Sequence, residues 1–216
     1  MRIGACRHLF VFFVFLIMGV FLVSRQAPAA ASGLSPARKT LEISTARILA
    51  CIKNPDYVNP ATRVPLRRQI EEEVLYLFDF MEFSSRTVGQ RWRTFTPEQQ
   101  KGFSDVFADL LISTYVNKID GYNGEEAAYV GEVASEDRVE VRTVVTLKDG
   151  KKIPVAYRML SKNGSWRVYD VLIENLSLVK NYRAQFQDIL NRDPPDRLIE
   201  RIRDKSREVR QQHEAK

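Results

Sequence analysis

Apolar positions along the chain change their period near Gly124, where a helical first half gives way to a strand-like run that lasts to about Glu174. Ser35-Pro36 suits an N-cap and first turn, and Leu41, Ala46, Ile48, Leu49 and Ile52 follow it as one apolar face. Asn54-Pro55 stops this helix, and residues 56–63, with Asn59-Pro60, read as a loop. A second helical stretch starts near Val64, with Pro65 in its first turn, and runs through Ile70, Val74, Leu77, Phe78 and Met81. It bends or breaks near Asp79 and stops at Gly89. Thr96-Pro97-Glu98-Gln99 is a capping box that opens a third stretch, in which Phe103, Val106, Phe107, Leu110, Leu111, Tyr115 and Ile119 recur in helical steps.

Beyond Gly124 the pattern alternates. Asp149-Gly150 separates one strand-like run from the next, and Asn163-Gly164 does the same again. Both dipeptides supply the positive φ that two-residue hairpin turns demand. With a weaker strand at about 126–134, this gives a meander of about four antiparallel strands. Ser177 caps a further helix carrying Val179, Tyr182, Phe186, Ile189 and Leu190, and Asp193-Pro194-Pro195 ends it. Residues 197–216 read as a highly charged helix or tail with four large aliphatics, Leu198, Ile199, Ile202 and Val209, for which a solvated helix is the default. The fold class is therefore α+β, a helical layer on a twisted antiparallel sheet.

Two-residue turns would set Val144 opposite Val155, Arg142 opposite Tyr157, and Tyr157 opposite Asp170. Both sheet faces then carry substantial apolar surface, so both need cover. Either helices pack fully on them, or a helical layer stands off one face and leaves an apolar cavity; periodicity does not choose between these. The row Arg142, Tyr157, Asp170 reads as a charge pair satisfied across the sheet, ahead of a polar group at a pocket.

Composition narrows the function. Arg2 and Arg7 precede an uncharged run, Leu9 to Val23, and small residues follow from Ala27 to Ala31. That is the plan of a secretory leader, cleaved after Ala29 or Ala31, and its fifteen apolar residues fall short of the ~20 needed to span a bilayer. Removing residues 1–31 lowers the net charge from +6 to +3, and residues 32–195 hold 23 bases against 22 acids. Such a balance lacks the basic footprint of a nucleic-acid binder. Without the leader, His213 is the one histidine and Cys51 the one cysteine, so neither a histidine triad, a histidine zinc site nor an internal disulfide has its residues. Cys51 sits in an apolar row as a packing cysteine, and Glu71-Glu72-Glu73 reads as a solvated face. No phosphate-cradling glycine motif occurs. The expectation is a protein that is not an enzyme.

Several blocks carry a resemblance. Asp79-Phe80, Gly89-x-x-Trp92-Arg93, Thr96-Pro97-Glu98-Gln99-Gln100, Phe103 through Tyr115 and Tyr122-x-Gly124-Glu125 occur in order, as do Tyr157-Arg158-Met159 and Trp166-x-Val168-Tyr169-Asp170-Val171. The most specific block is Glu174-Asn175-x-Ser177-Leu178-Val179-x-Asn181-Tyr182-Arg183-x-Gln185-Phe186. Across about residues 38–190 the chain resembles the MlaC family, also called toluene-tolerance proteins. Asn175, where many members have glycine, and the charged C-terminal stretch depart from the family pattern.

The resemblance implies a periplasmic carrier with an internal apolar cavity between sheet and helices. Its cargo would be a phospholipid, with no other cofactor and no metal. Its partners would be an outer-membrane lipoprotein complex and an inner-membrane ABC transporter with an MCE-type subunit, in a system serving outer-membrane lipid asymmetry. A related branch is associated with hopanoids, so another envelope lipid is an alternative cargo, and a non-carrier structural envelope protein is an alternative role. The domain plan is a signal peptide at 1–31, a lipid-binding domain at 32–195 and a tail at 196–216. Candidate lipid contacts on helices are Phe80, Phe83, Trp92, Phe103, Phe107, Leu111 and Tyr115. On the sheet they are Val144, Val155, Tyr157, Val168, Val171 and Ile173, which span both faces of the expected register. Exposing two acyl chains to water costs well over ~15 kcal/mol at ~0.8 kcal/mol per methylene, so a carrier must enclose the tails, while the head group can stay in water.

Overall fold

The computed structural model describes residues 34–122 and 124–214; the expected leader lies outside the described residues. Helix α1 (Pro36–Ile52) starts where Ser35 Oγ accepts the Arg38 N–H at 3.1 Å. Helix α2 (Pro60–Leu77) begins four residues before Val64, because Asn59 accepts the Ala61 N–H and Pro60 supplies a preset first turn. Residues 56–63 are thus partly helical, and Pro65 lies inside the helix. The expected break falls at Phe78-Asp79, where the backbone turns extended and the Asp79 N–H donates to the Val168 carbonyl at 2.9 Å.

Asp79 caps α3 (Phe80–Val88), and Gly89, at φ +69°, ends it. Arg183 closes that end by donating to the Arg86 carbonyl from Nε at 2.8 Å and Nη2 at 2.5 Å. The capping box at Thr96 and Gln99 opens α4 (Pro97–Tyr115), and a 3₁₀ segment (Val116–Gly121) continues it.

Strands β1 (Glu126–Ser135), β2 (Arg138–Thr146), β3 (Lys152–Lys162), β4 (Ser165–Ile173) and β5 (Leu176–Ser177) form an antiparallel meander in chain order. The fold is α+β, with one short strand more than the alternation announces. Glu174 and Asn175, at φ 50° and 66°, make the two-residue turn into β5. Helix α5 (Leu178–Leu190) follows under its Ser177 cap, and α6 (Pro195–Glu214) follows that.

The register departs from expectation at two points. Asn163-Gly164 makes the two-residue turn, and Lys162 pairs with Ser165. Asp149-Gly150 instead belongs to a three-residue loop, in which Gly150 donates to the Leu147 carbonyl and Leu147 to the Lys151 carbonyl, each at 2.9 Å. Asp149 Oδ1 accepts the Lys151 N–H, which favours the longer turn with Gly150 at φ +82°. Val144 therefore faces Pro154, Arg142 faces Ala156, and Tyr157 meets Val141.

A bulge at Tyr169 then shifts β4, so that Tyr157 faces Val171 and Val155 faces Ile173. Together the two irregularities gather Val139, Val141, Met159, Val168 and Val171 into one cluster under Ala37 and Leu41 of α1. The apolar surface is concentrated on one face instead of being shared by two.

The other face carries a row of charges, with Arg158 in the place expected for Tyr157. Arg158 bonds Glu140 at 3.1 Å and Asp170 at 3.4 Å, and Arg142 bonds Glu140 at 3.0 Å. Burial pushes the Glu140 carboxyl up, but the hydrogen bonds from Arg142 and Arg158 outweigh it and hold the group below its ordinary value. Asp170 also accepts the Ser177 hydroxyl at 2.7 Å and the Val179 N–H at 3.1 Å, fastening the first turn of α5 to β4. Asp170→Ala strands the buried Val179 N–H and is expected to cost about 3 kcal/mol in urea unfolding. A loss under ~0.5 kcal/mol, the size of an ordinary surface change, would mean that this fastening carries no weight.

Helix α6 is packed, not solvated on all sides. Leu198, Ile199 and Ile202 are buried in the same cluster as Phe103, Phe107 and Phe186. Gln99 bonds Asp196 at 3.0 Å and Ser113 accepts from Arg210 at 3.1 Å, so α6 runs beside α4 in the same direction. Four aliphatics suffice because they fall on one stripe.

Candidate functional site

An apolar cavity of about 220 Å³ lies between the sheet and the helices. Its helical wall comes from Val74 and Phe78 at the end of α2, Phe80 and Phe83 of α3, and Leu111, Ile112 and Tyr115 of α4. Val116 and Ile119 of the 3₁₀ segment form its floor, while Tyr157, Val171 and Ile173 form the sheet wall, with Leu178 at the corner. Burial, and then the neighbouring Tyr129, pushes the Tyr157 phenol up to about 12, so the wall stays uncharged well into the alkaline range.

Seven of the residues expected at such a cavity meet there: Phe80, Phe83, Leu111, Tyr115, Tyr157, Val171 and Ile173. Trp92, Phe103 and Phe107 lie elsewhere, in an aromatic stack in which Phe103 is 5.9 Å from Trp92, 5.6 Å from Phe107 and 5.5 Å from Phe186. Val168 is fully buried in the cluster beneath α1, and Val155 packs against the edge of that cluster. Val144 is on the opposite face, a direct result of the three-residue loop. Val74, Phe78, Ile112, Val116, Ile119 and Leu178 also line the cavity, although they are not among the lipid contacts expected from the sequence. The step-of-four series 111-115-119 and 112-116 marks three of them, because it carries one apolar stripe past the end of α4.

The floor is anchored by Asp120. Its Oδ1 accepts the Tyr57 hydroxyl at 2.8 Å, and its Oδ2 meets Arg67 at 2.8 Å and His213 of α6 at 2.9 Å. Burial first, then the hydrogen bond to Asp120, pushes the Tyr57 phenol up to about 12, which keeps it a donor. A cleft of about 530 Å³ between α1 and α2 is larger, but Arg47, Gln69, Glu72 and Glu73 line it beside Cys51. Burial, then the charge of Glu73, pushes the Cys51 thiol up and away from a reactive thiolate. Among the described residues no cluster of three or more metal-ligating side chains occurs, and no helix is long and apolar enough to cross a membrane.

The sequence profile of the family described as MlaC protein matches residues 42–204. The chain belongs to the MlaC family. The match runs from the middle of α1 into α6 and includes every wall of the cavity. Two relatives with curated descriptions are similar. The toluene tolerance protein ttg2D of Pseudomonas putida is 31% identical over 106 residues, 48% of this chain and 49% of that protein. The intermembrane phospholipid transport system binding protein MlaC of Haemophilus influenzae is 22% identical over 142 residues, 63% of this chain and 66% of that protein. The chain thus spans about half the length of the first and just under two thirds of the second. A solved structure, that of the phospholipid-binding protein from Ralstonia solanacearum in complex with a phospholipid, superposes with a TM-score of 0.71. It is 26% identical, and the alignment covers 81% of this chain and 99% of that one.

Proposed function

We propose that this protein is a periplasmic phospholipid carrier, exported by a cleaved leader at residues 1–31, that encloses acyl tails in the cavity between α2–α4 and the sheet. The observation that carries this reading is a cavity walled by aliphatic and aromatic side chains in a chain of the MlaC family. The solved relative holds a phospholipid, and the H. influenzae relative is described as a binding protein of an intermembrane phospholipid transport system. The carrier would exchange lipid with an outer-membrane lipoprotein complex and with an inner-membrane ABC transporter bearing an MCE-type subunit. Such work needs docking and enclosure, not bond chemistry, in keeping with a site built of hydrocarbon.

Size adds a condition. At about 220 Å³ the cavity is below the ~300–1,000 Å³ usual for a drug-sized ligand, so loading a two-tailed lipid must spread its walls. The energy is available, since each enclosed methylene contributes ~0.8 kcal/mol.

Native mass spectrometry of protein purified from the cell envelope tests the reading. A bound mass of several hundred daltons that fragments as phospholipid is the expected result. A clean unliganded mass, persisting after incubation with phospholipid vesicles and with hopanoid vesicles, would remove the carrier reading.

A further inference from the structure

Behind the aromatic end of the cavity lies a second, polar cleft. It has a volume of about 350 Å³, and Asp79, Lys162, Asn163, Ser165 and Arg167 line it together with Leu75. Phe78 and Phe80 line both spaces, so their stacked rings, 5.6 Å apart at 20°, are the partition between hydrocarbon and polar surroundings. The cleft is built by the α2–α3 corner and the type I′ turn of the β3–β4 hairpin, which the Asp79 N–H to Val168 carbonyl bond holds together.

The charges in the cleft do not cancel. Lys162 Nζ meets Asp79 Oδ2 at 2.9 Å, and that carboxylate is also engaged as the cap of α3 through Oδ1. Among the described residues Arg167 has no carboxylate partner: it donates from Nη1 to the Tyr76 carbonyl and lies over the Tyr76 ring at 5.1 Å. A guanidinium has five N–H donors, and that bond uses one. Two cations against one anion leave a net +1 beside hydroxyl and amide groups, a surrounding that suits a phosphodiester.

Resting on the carrier reading, we propose that this cleft is the head-group subsite, in which Arg167 and Lys162 receive the lipid phosphate while the glycerol passes Phe78 and Phe80. The tails supply affinity and the cleft supplies selection. A lipid whose head carries an anionic phosphate is favoured over a neutral lipid with the same tails. The cleft is open, so the variable part of the head group beyond the phosphate extends into water.

Competition measures this. Delipidated protein is incubated with vesicles holding equal amounts of phosphatidylglycerol and diacylglycerol of identical chains, and the ratio bound is read by native mass spectrometry. Arg167→Gln leaves the Asp79–Lys162 pair intact and is expected to lower the phosphatidylglycerol-to-diacylglycerol ratio about fivefold, the loss of one charge-assisted contact. Lys162→Arg should keep the ratio, and the double variant Arg167→Gln, Lys162→Gln should bring it close to one. An unchanged ratio in folded Arg167→Gln and in the double variant overturns the subsite while leaving the carrier intact. Failure of the unaltered protein to load either lipid would instead sink both proposals. Excess inorganic phosphate should lower the ratio, because it competes for the same two cations. If it binds the delipidated protein at Arg167 and the lipid ratio is insensitive to Arg167→Gln, the cleft serves free phosphate and the lipid assignment falls.

Discussion

Replacing Ile173 with arginine is expected to empty the protein of lipid and leave it folded. Ile173 is half-buried at the sheet wall of the cavity, near the end of β4 and next to the turn into β5. A long side chain placed there extends into free space, so no packed neighbour has to move. The guanidinium then occupies the volume the tails would fill, and a tail pressed against an unpaired cation leaves that cation poorly solvated. Bound lipid should fall at least tenfold, equivalent to ~1.4 kcal/mol or more, with the circular dichroism spectrum unchanged. Ile173→Ala, which enlarges the cavity, should still load. Full loading of a folded Ile173→Arg protein would place the tails somewhere other than this cavity.

The contrasting experiment is Phe103→Ala. Phe103 is fully buried, and its ring neighbours Trp92, Phe95, Phe107 and Phe186 do not line the cavity. Truncation leaves a void that this rigid stack cannot close, at a cost of ~3–5 kcal/mol. Against a total stability of ~5–15 kcal/mol this is a large fraction. Unfolding should be followed on delipidated protein, because bound lipid stabilises the folded state in its own right. Lipid bound per folded molecule should be unchanged. Lost loading at undiminished stability would reassign Phe103 from the core to the binding site.

That pair of residues also shows what the sequence could say. Phe103 and Leu111 lie on the same apolar stripe of α4, and periodicity treats them alike. They differ in what stands opposite: α5 and the 3₁₀ turn Gly89–Thr94 close over Phe103, whereas Leu111 lines the cavity together with Tyr157, Val171 and Ile173 of the sheet. Element types were legible because caps, proline positions and alternation are local chemistry. Ser35, Thr96 and Ser177 each cap the helix expected of them.

The sheet face was not legible, because two single-residue decisions control it. One is the extra loop residue, Lys148, ahead of Asp149-Gly150, and the other is the bulge at Tyr169. Each moves side chains across the sheet, so Val144 leaves the cavity face and Val171 joins Tyr157 on it. The packing of α6 was hidden for another reason. Its charge density dominates the composition, while its packing rests on a stripe of four aliphatics, Leu198, Ile199, Ile202 and Val209.

The contact between His213 and Asp120 has a bearing on how the molecule is made. The cavity floor, Val116 to Gly121, is held by a residue that leaves the ribosome more than ninety positions later. Gln99 with Asp196, and Ser113 with Arg210, are each 97 positions apart. A nascent chain threaded from its N-terminus can therefore assemble α1 to α4 and the meander with one side of α4 still bare. Closing loops of that length comes late and slowly. Until it happens, the aromatic stack lacks its α6 cover and exposes greasy surface to any passing chain. In vivo, holdase chaperones would find their longest window of contact on the outer side of α4, after the strands have paired and before residue 213 arrives.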